Sequence, residues 1–234
     1  MGSLVAIWIK EFKDYFVSPI AYMVIAIFLL VTGWFFFSTF FLINQANLRE
    51  FFNLLPLAFA FVVPALTMRL FSEEINLGSY EILSTLPLRP AQIIAGKFLA
   101  AVSFIAAMLL PTLSYALCVS ALGDLDWGPV LGGYIGALLL GAAFAGIGVF
   151  ASALTRNQIV AFILGAGICF GLTLLNKMLF FVPQQILEVI NYLAAGYHFD
   201  NIAKGVLDSR DVIYFLSIAF IGLYATNFAL EARK

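Results

Sequence analysis

The sequence is short of charge, of cysteine and of histidine, and each shortage removes a class of function. Charged residues make up 11% of the 234, against 63% hydrophobic ones, and mean hydropathy is +1.04. Soluble domains carry roughly a quarter charged residues, so this composition is that of an integral membrane protein. Net charge is -1 and no basic block could track a phosphate backbone, which sets nucleic acid aside as a partner. The two cysteines, Cys118 and Cys169, sit in apolar runs with no C-x-x-C partner or neighbouring histidine. They read as small buried hydrophobes rather than a redox or metal pair. A phosphate-binding loop is missing as well: the lone Gly-Lys step, Gly96-Lys97, is followed by Phe98 and lacks the earlier glycine of G-x-x-x-x-G-K-[ST].

What is present is a series of long charge-free windows. They run from Tyr15 to Leu48, Phe51 to Met68, Phe98 to Gly123, Trp127 to Thr155, Asn157 to Asn176 and Val212 to Leu230. The shortest, residues 51–68, reaches about 27 Å as a helix, enough for a thin hydrocarbon core. Transmembrane strands would need shorter, alternating segments, whereas these windows are apolar all round. The expected class is all-α and polytopic, with six spans at residues 19–43, 51–69, 91–122, 129–154, 157–180 and 211–230. No cleavable signal is read at the N-terminus, because the first apolar run is too long and lacks a small-residue cleavage site.

With the N-terminus inside, the cytoplasmic segments hold Lys10, Lys13, Arg69, Arg89, Lys97, Arg156, Arg233 and Lys234, against Arg49, Lys177, Lys204 and Arg210 outside. This bias favours a cytoplasmic or inner membrane with both termini cytoplasmic. The opening residues 1–16 place Leu4, Ile7, Trp8, Phe12 and Tyr15 at helical spacing among Lys10, Glu11, Lys13 and Asp14. They read as an amphipathic helix in the interface, or as an extension of the first span.

All Asp, Glu, Lys and Arg fall outside the six windows, and the single histidine, His198, lies in the segment before the last span. Ion-coupled carriers keep a charged or titratable ligand near the bilayer centre, and intramembrane hydrolases need a nucleophile with its base or a bound metal. Neither pattern occurs within the spans, so energy for any transport has to come from elsewhere.

The densest polar stretch, MRLFSEEINLGSYEILSTLPLRPAQIIAGKF at residues 68–98, joins the second and third spans. Glu73 and Glu74 precede Gly78, a helix stop. Ser79 suits the cap of a short helix carrying Tyr80, Ile82, Leu83 and Leu86, which Pro87 ends. Pro90 suits the first turn of the next helix, and Lys97, about two turns on, suits a snorkelling ammonium. A short, half-apolar helix at this place fits docking into a groove on another protein, or it is a solvated interhelical loop.

This segment resembles the cytoplasmic loop of ABC-2 type transporter permeases: a Glu-Glu pair, a Gly-Ser step, a Glu-hydrophobic-Leu turn, a Leu-Pro, then Gly-Lys at the third span. The stretches SPIAYMVIAIFLLVTGWFFF, GDLDWGPVLGGYIG, ALTRNQIVAF and YHFDNIAKGVLDSRDVIYFLS extend the resemblance, over nearly the whole chain, to the gliding-motility-associated branch. It implies the transmembrane subunit of an ATP-driven exporter, a dimer of six-helix protomers (two copies, or one with a related permease) served by cytoplasmic ABC ATPase subunits. ATP and Mg would be bound by that partner; no cofactor is implied in this chain, which would be no enzyme by itself. The loop at residues 71–88 would be the coupling helix, with Glu73, Glu74, Gly78, Tyr80, Glu81, Leu83 and Pro87 as coupling residues. EEINLGS differs from many relatives in placing Ile75 and Asn76 where they have basic residues. An extracytoplasmic helical hairpin within residues 181–210 and an extracytoplasmic auxiliary subunit are further implications. Some members of this family act as anchors, moving an outside partner protein without transporting cargo, and that reading stays open beside the exporter. An ATP-independent channel is the third, and the lack of buried charge counts against it.

Four smaller features complete the sequence. Arg156, in the turn between the fourth and fifth spans, is a second ATPase contact or an orientation anchor. In the segment before the last span, Ile186, Val189, Ile190 and Leu193 predict a helical excursion, with Tyr197, His198 and Asp200 as the candidate residues; His198, lacking a second ligand, reads as a hydrogen-bonding loop residue. Gly132 with Gly136, and Gly167 with Gly171, are spaced for close helix contact and are read as packing within the protomer rather than a dimer seam. Phe35, Phe36, Phe37, Phe40 and Phe41 cover most of the first span's circumference, facing lipid or a partner helix, with a hydrophobic substrate path as the lesser reading.

Overall fold

A computed structural model describes residues 2–43, 45–81, 89–175 and 192–232, all of them helix or short connection. In chain order the helices are α1 (Gly2–Val17), α2 (Pro19–Ile43), α3 (Arg49–Thr67), α4 (Arg69–Asn76), α5 (Pro90–Leu109), α6 (Leu113–Leu122), α7 (Trp127–Leu154), α8 (Gln158–Leu174), α9 (Ala195–Ala203) and α10 (Ser209–Glu231). Among the described residues, five stretches are long and apolar enough to cross a membrane: Pro19–Leu42, Arg49–Asn76, Pro90–Leu122, Trp127–Leu154 and Ser209–Glu231. Six were expected. The difference is α8, whose 17 described residues reach about 26 Å; residues 176–180, the end of the expected fifth span, lie outside the described residues.

Local chemistry sets the boundaries. Asp126, Asn157 and Asp208 sit in extended backbone just before α7, α8 and α10, and each side chain accepts from an N–H two residues on (3.0, 2.9 and 3.0 Å). These bonds satisfy donors that a helix start leaves open. Pro90 occupies the first position of α5, as its fixed φ predicts. The expected third span is not one uniform helix: Pro111 cannot supply an N–H, and a 3-10 turn at Leu110–Thr112 separates α5 from α6. Gly78 closes the turn after α4 at φ +70°, a conformation open to glycine at little cost.

α7 forms the spine, packed on by α3, α5, α8, α9 and α10. Small residues let the backbones meet. A Cβ on Gly222 of α10 would lie 2.6 Å from the Gly146 backbone of α7, and one on Gly132 would lie 2.5 Å from the Ile202 carbonyl of α9. Gly132 and Gly136 therefore pack within the protomer, as expected. Gly167 and Gly171 do not: a Cβ at either would meet nothing within 4 Å, because both lie on the outward face of α8. The phenylalanine run divides similarly, with Phe36 buried and Phe35 and Phe41 exposed. Cys169 is buried as expected, but Cys118 is exposed on α6.

α3 and α7 start at the same end of the bundle, where residues 47–53 and 125–130 line one cleft with α9. α4, the start of α5 and the turn holding Arg156 therefore lie at the opposite end. Pro90–Leu122, at 33 residues, is about 50 Å long, and Arg49–Asn76, at 28, about 42 Å. Both exceed the roughly 30 Å of a hydrocarbon core.

Candidate functional sites at the two ends of the bundle

At the α4 end, α1 lies beside the first half of α5 in step with it. Ser3 meets Gln92 (3.4 Å), Ile7 packs against Gly96, and the rings of Tyr15 and Phe104 are 4.9 Å apart. Trp8 adds an Nε1–H bond to Ser103 Oγ at 2.9 Å. This register carries Glu11 to the side chain of Lys97, while α4 brings Glu74 from the other side. The Lys97 ammonium donates to Glu74 Oε1 at 2.7 Å and to Glu11 Oε1 at 3.1 Å, and lies 5.4 Å from the centre of the Phe71 ring. Its side chain is 2% exposed. The expectation of a snorkelling lysine is thus corrected: two carboxylates converge on Lys97, so burial with ion pairing is favoured over reaching for the interface.

Around this triad a cavity of about 290 Å³ opens, lined by Lys10, Asp14, Tyr15, Arg69, Glu73 and Leu77 among others. The Arg69 guanidinium lies 5.6 Å from the centre of the Tyr15 ring, and the Tyr15 hydroxyl donates to the Leu66 carbonyl at 3.1 Å. Burial holds the Tyr15 hydroxyl well above the usual phenol range, although Arg69 opposes this. For Lys10, burial disfavours the charge, but Glu11, Asp14 and Glu74 outweigh it and hold the ammonium above its usual range. Glu74 Oε2 is buried with no hydrogen-bond partner among the described residues.

Of the expected coupling residues, Glu73 and Glu74 line this cavity, Glu73 exposed and Glu74 partly buried. Gly78 sits in the turn that follows α4. Tyr80 packs toward Phe71, ring centres 6.2 Å apart, and burial followed by Glu74 pushes its hydroxyl up. Ser79 donates to the Glu74 carbonyl at 3.3 Å, so its hydroxyl points back toward α4. Glu81 is exposed at the edge of the described residues; Leu83 and Pro87 lie outside them. Arg156 is exposed in the turn after α7, at the same end. Glu11, Arg69 and Lys97, far apart in sequence, come together on one cavity. The only local signal for this was a lysine placed two turns inside an otherwise apolar helix.

At the α9 end, His198 is not in a loop but in α9, where it is 1% exposed. Its Nδ1 lies 2.6 Å from Asp211 Oδ1 of α10 and its Nε2 lies 2.9 Å from the Tyr192 carbonyl. The Tyr214 ring stacks on it at 4.0 Å and donates its hydroxyl to the Leu193 carbonyl at 2.6 Å. Tyr197 is exposed beside it and Asp200 is half-buried. Asp211 had not been singled out; an acid in the first turn of a span, in SRDVIYF, was the available signal. Nearby, the cleft of about 450 Å³ between the starts of α3 and α7 and the end of α9 is lined by Asn47, Arg49, Asn53, Asp126, Asp200 and Lys204 over a floor that includes Phe52 and Val130. The helical excursion expected at Ile186, Val189 and Ile190 lies outside the described residues.

A chain that puts a polar, cavity-bearing stalk at one end of an apolar helical bundle matches one family model, that of ABC-2 family transporter proteins, over residues 5–209. The chain belongs to the ABC-2 transporter family. No curated protein matches it. The match takes in Glu11, Glu73, Glu74, Lys97 and His198 and stops two residues before Asp211. An ABC-2 permease is the multi-pass membrane component of an ABC transporter, has no ATPase site of its own and associates with cytoplasmic ABC ATPases. The α4 end of this chain is both charged and concave.

Proposed function

We propose that this chain is the permease subunit of an ABC exporter of the bacterial inner membrane, in the gliding-motility-associated branch, with both termini cytoplasmic. It works as a homodimer, or beside a related permease, with two ATPase subunits docked at the α4 end. Glu73 and the turn around Gly78, Tyr80 and Glu81 form the docking surface, continued by Leu83 and Pro87 and flanked by Arg156. ATP and Mg stay on the ATPase.

The observation that carries this reading is the pair of salt bridges that Lys97 makes to Glu74 and Glu11. An ATPase that moves α4 moves Glu74, and through Lys97 it moves α5 and α1 together. Because the pairing is short and buried, relative sliding of these helices would leave charges unpaired in a low-dielectric site, so the three elements shift as a unit. α4 also continues α3 almost without interruption, so the same displacement tilts a second span.

The test is ATPase turnover by the co-expressed complex in nanodiscs. Lys97→Met should retain the ATPase while its hydrolysis loses at least about tenfold of any dependence on the permease, since an element coupled by about 1.4 kcal/mol sets a tenfold effect. Glu73→Lys should instead weaken retention. Retention and stimulation at wild-type levels in both variants would contradict the proposal.

A second reading is a membrane anchor that passes ATP-driven motion to an extracytoplasmic protein without moving cargo. The polar cleft at the α9 end favours it, since Arg49, Asn53 and Lys204 are exposed there. An outside protein captured through that cleft, with no substrate crossing sealed vesicles, would select it.

A further inference from the structure

The polar groups of the cleft at the α9 end are unevenly occupied. Of its two acids, Asp126 accepts from the Gly128 N–H at 3.0 Å, and Asp200 has a partner of its own. Its two cations differ: among the described residues neither Arg49 nor Lys204 makes an ion pair, and both are exposed. Asn53, also exposed, adds an amide, and the floor includes the buried Phe52 and Val130. At about 450 Å³ the cleft has the size of a small-ligand pocket, and it combines an apolar floor with a few convergent polar groups as such pockets do. The groups left over are donors and cations, so the occupant these walls select is an anion with an apolar part.

The depth of the cleft identifies the source of that anion. Arg49 and Glu50 close the charge-free run at residues 51–68, about 27 Å long as a helix, and Asp126 stands directly before the charge-free start of α7. Charges at the ends of apolar runs mark the edge of the hydrocarbon, so the cleft opens at headgroup level. Trp127, next to Asp126, and Tyr197 on α9 are exposed, as aromatic side chains at that level are. We propose that this cleft binds the phosphodiester headgroup of an anionic phospholipid from the leaflet at the α9 end. Arg49 takes the non-bridging oxygens as a fork, Lys204 supplies the second charge, and Asn53 donates to the phosphate or to a headgroup hydroxyl. The glycerol carbons lie over Phe52 and Val130. Phosphatidylcholine offers the same phosphate but adds a quaternary ammonium, which two cations repel, so the cleft prefers phosphatidylglycerol. A headgroup held in this way ties the start of α3, through Arg49, to the end of α9, through Lys204.

The test is native mass spectrometry of the full chain in detergent, with phosphatidylglycerol and phosphatidylcholine offered at equal concentration. The wild type should hold phosphatidylglycerol about tenfold more tightly, and Arg49→Gln combined with Lys204→Gln should erase that preference. Arg210→Gln, which removes an exposed cation at the start of α10 outside the cleft, should leave the preference intact. Inorganic phosphate at millimolar concentration should leave the lipid bound. Displacement by phosphate would mark a small-anion site and overturn the lipid. An equal loss in Arg210→Gln would reduce the effect to general surface charge and overturn the cleft as its seat. Equal binding of the two lipids by the wild type would overturn the proposal whatever the variants do, and would leave the cleft to an acidic surface of an outside protein. None of these readouts needs an ATPase, so the lipid site stands or falls apart from the docking proposal.

Discussion

Lys97 shows how one side chain decides the character of a region. A lysine buried to 2% exposure is tolerable only with its charge compensated, and here two carboxylates on two other helices do this. Removing the cation while leaving both acids is the costly operation: Lys97→Met should destabilise the protomer by about 3 kcal/mol, read as unfolding in detergent or lipid. Glu11→Gln keeps the shorter bond to Glu74 and should cost about 1 kcal/mol. A loss for Glu11→Gln as large as that for Lys97→Met would show that Lys97 is held chiefly through α1. Little of this was legible in the sequence, because the bond joins residues 86 apart and no local pattern reports it. The same holds for His198 with Asp211: each is polar at a plausible place, but only the packing of α9 against α10 makes them a pair.

At the scale of the helix, sequence and structure agree where a single element carries the signal. Apolar windows, the helix start at Pro90 and the Gly78 stop are local, and the chain folds as they dictate. They diverge where a neighbour decides. The break at Pro111 depends on whether the surrounding helices accept a kink, and the direction in which a glycine pair faces depends on packing. This difference is testable with two equivalent substitutions. Gly222→Ala forces a Cβ to within 2.6 Å of the α7 backbone and should cost about 1–3 kcal/mol by overpacking. Gly167→Ala meets nothing and should stabilise α8 by up to about 1 kcal/mol through helix propensity. Thermal unfolding of both variants side by side checks it; equal losses would mean that α8 is covered in the assembled protein.

For the whole molecule, the architecture is asymmetric along its axis. The α4 end is a charged stalk with a cavity, the middle is a glycine-rich bundle around α7, and the α9 end carries a buried His–Asp unit next to a polar cleft. An ABC-2 permease has its motor on another polypeptide, and in the function proposed above the stalk is where force would enter. The most direct measurement is capture of this chain from its native membrane, with the co-eluting ATPase quantified for wild type and for Glu73→Lys, a substitution at an exposed residue outside the buried triad. The account predicts an ABC ATPase in the wild-type eluate and about tenfold less of it with the reversed charge. A chain that elutes alone, or a Glu73→Lys variant that retains as much ATPase as wild type, would contradict docking at the α4 end.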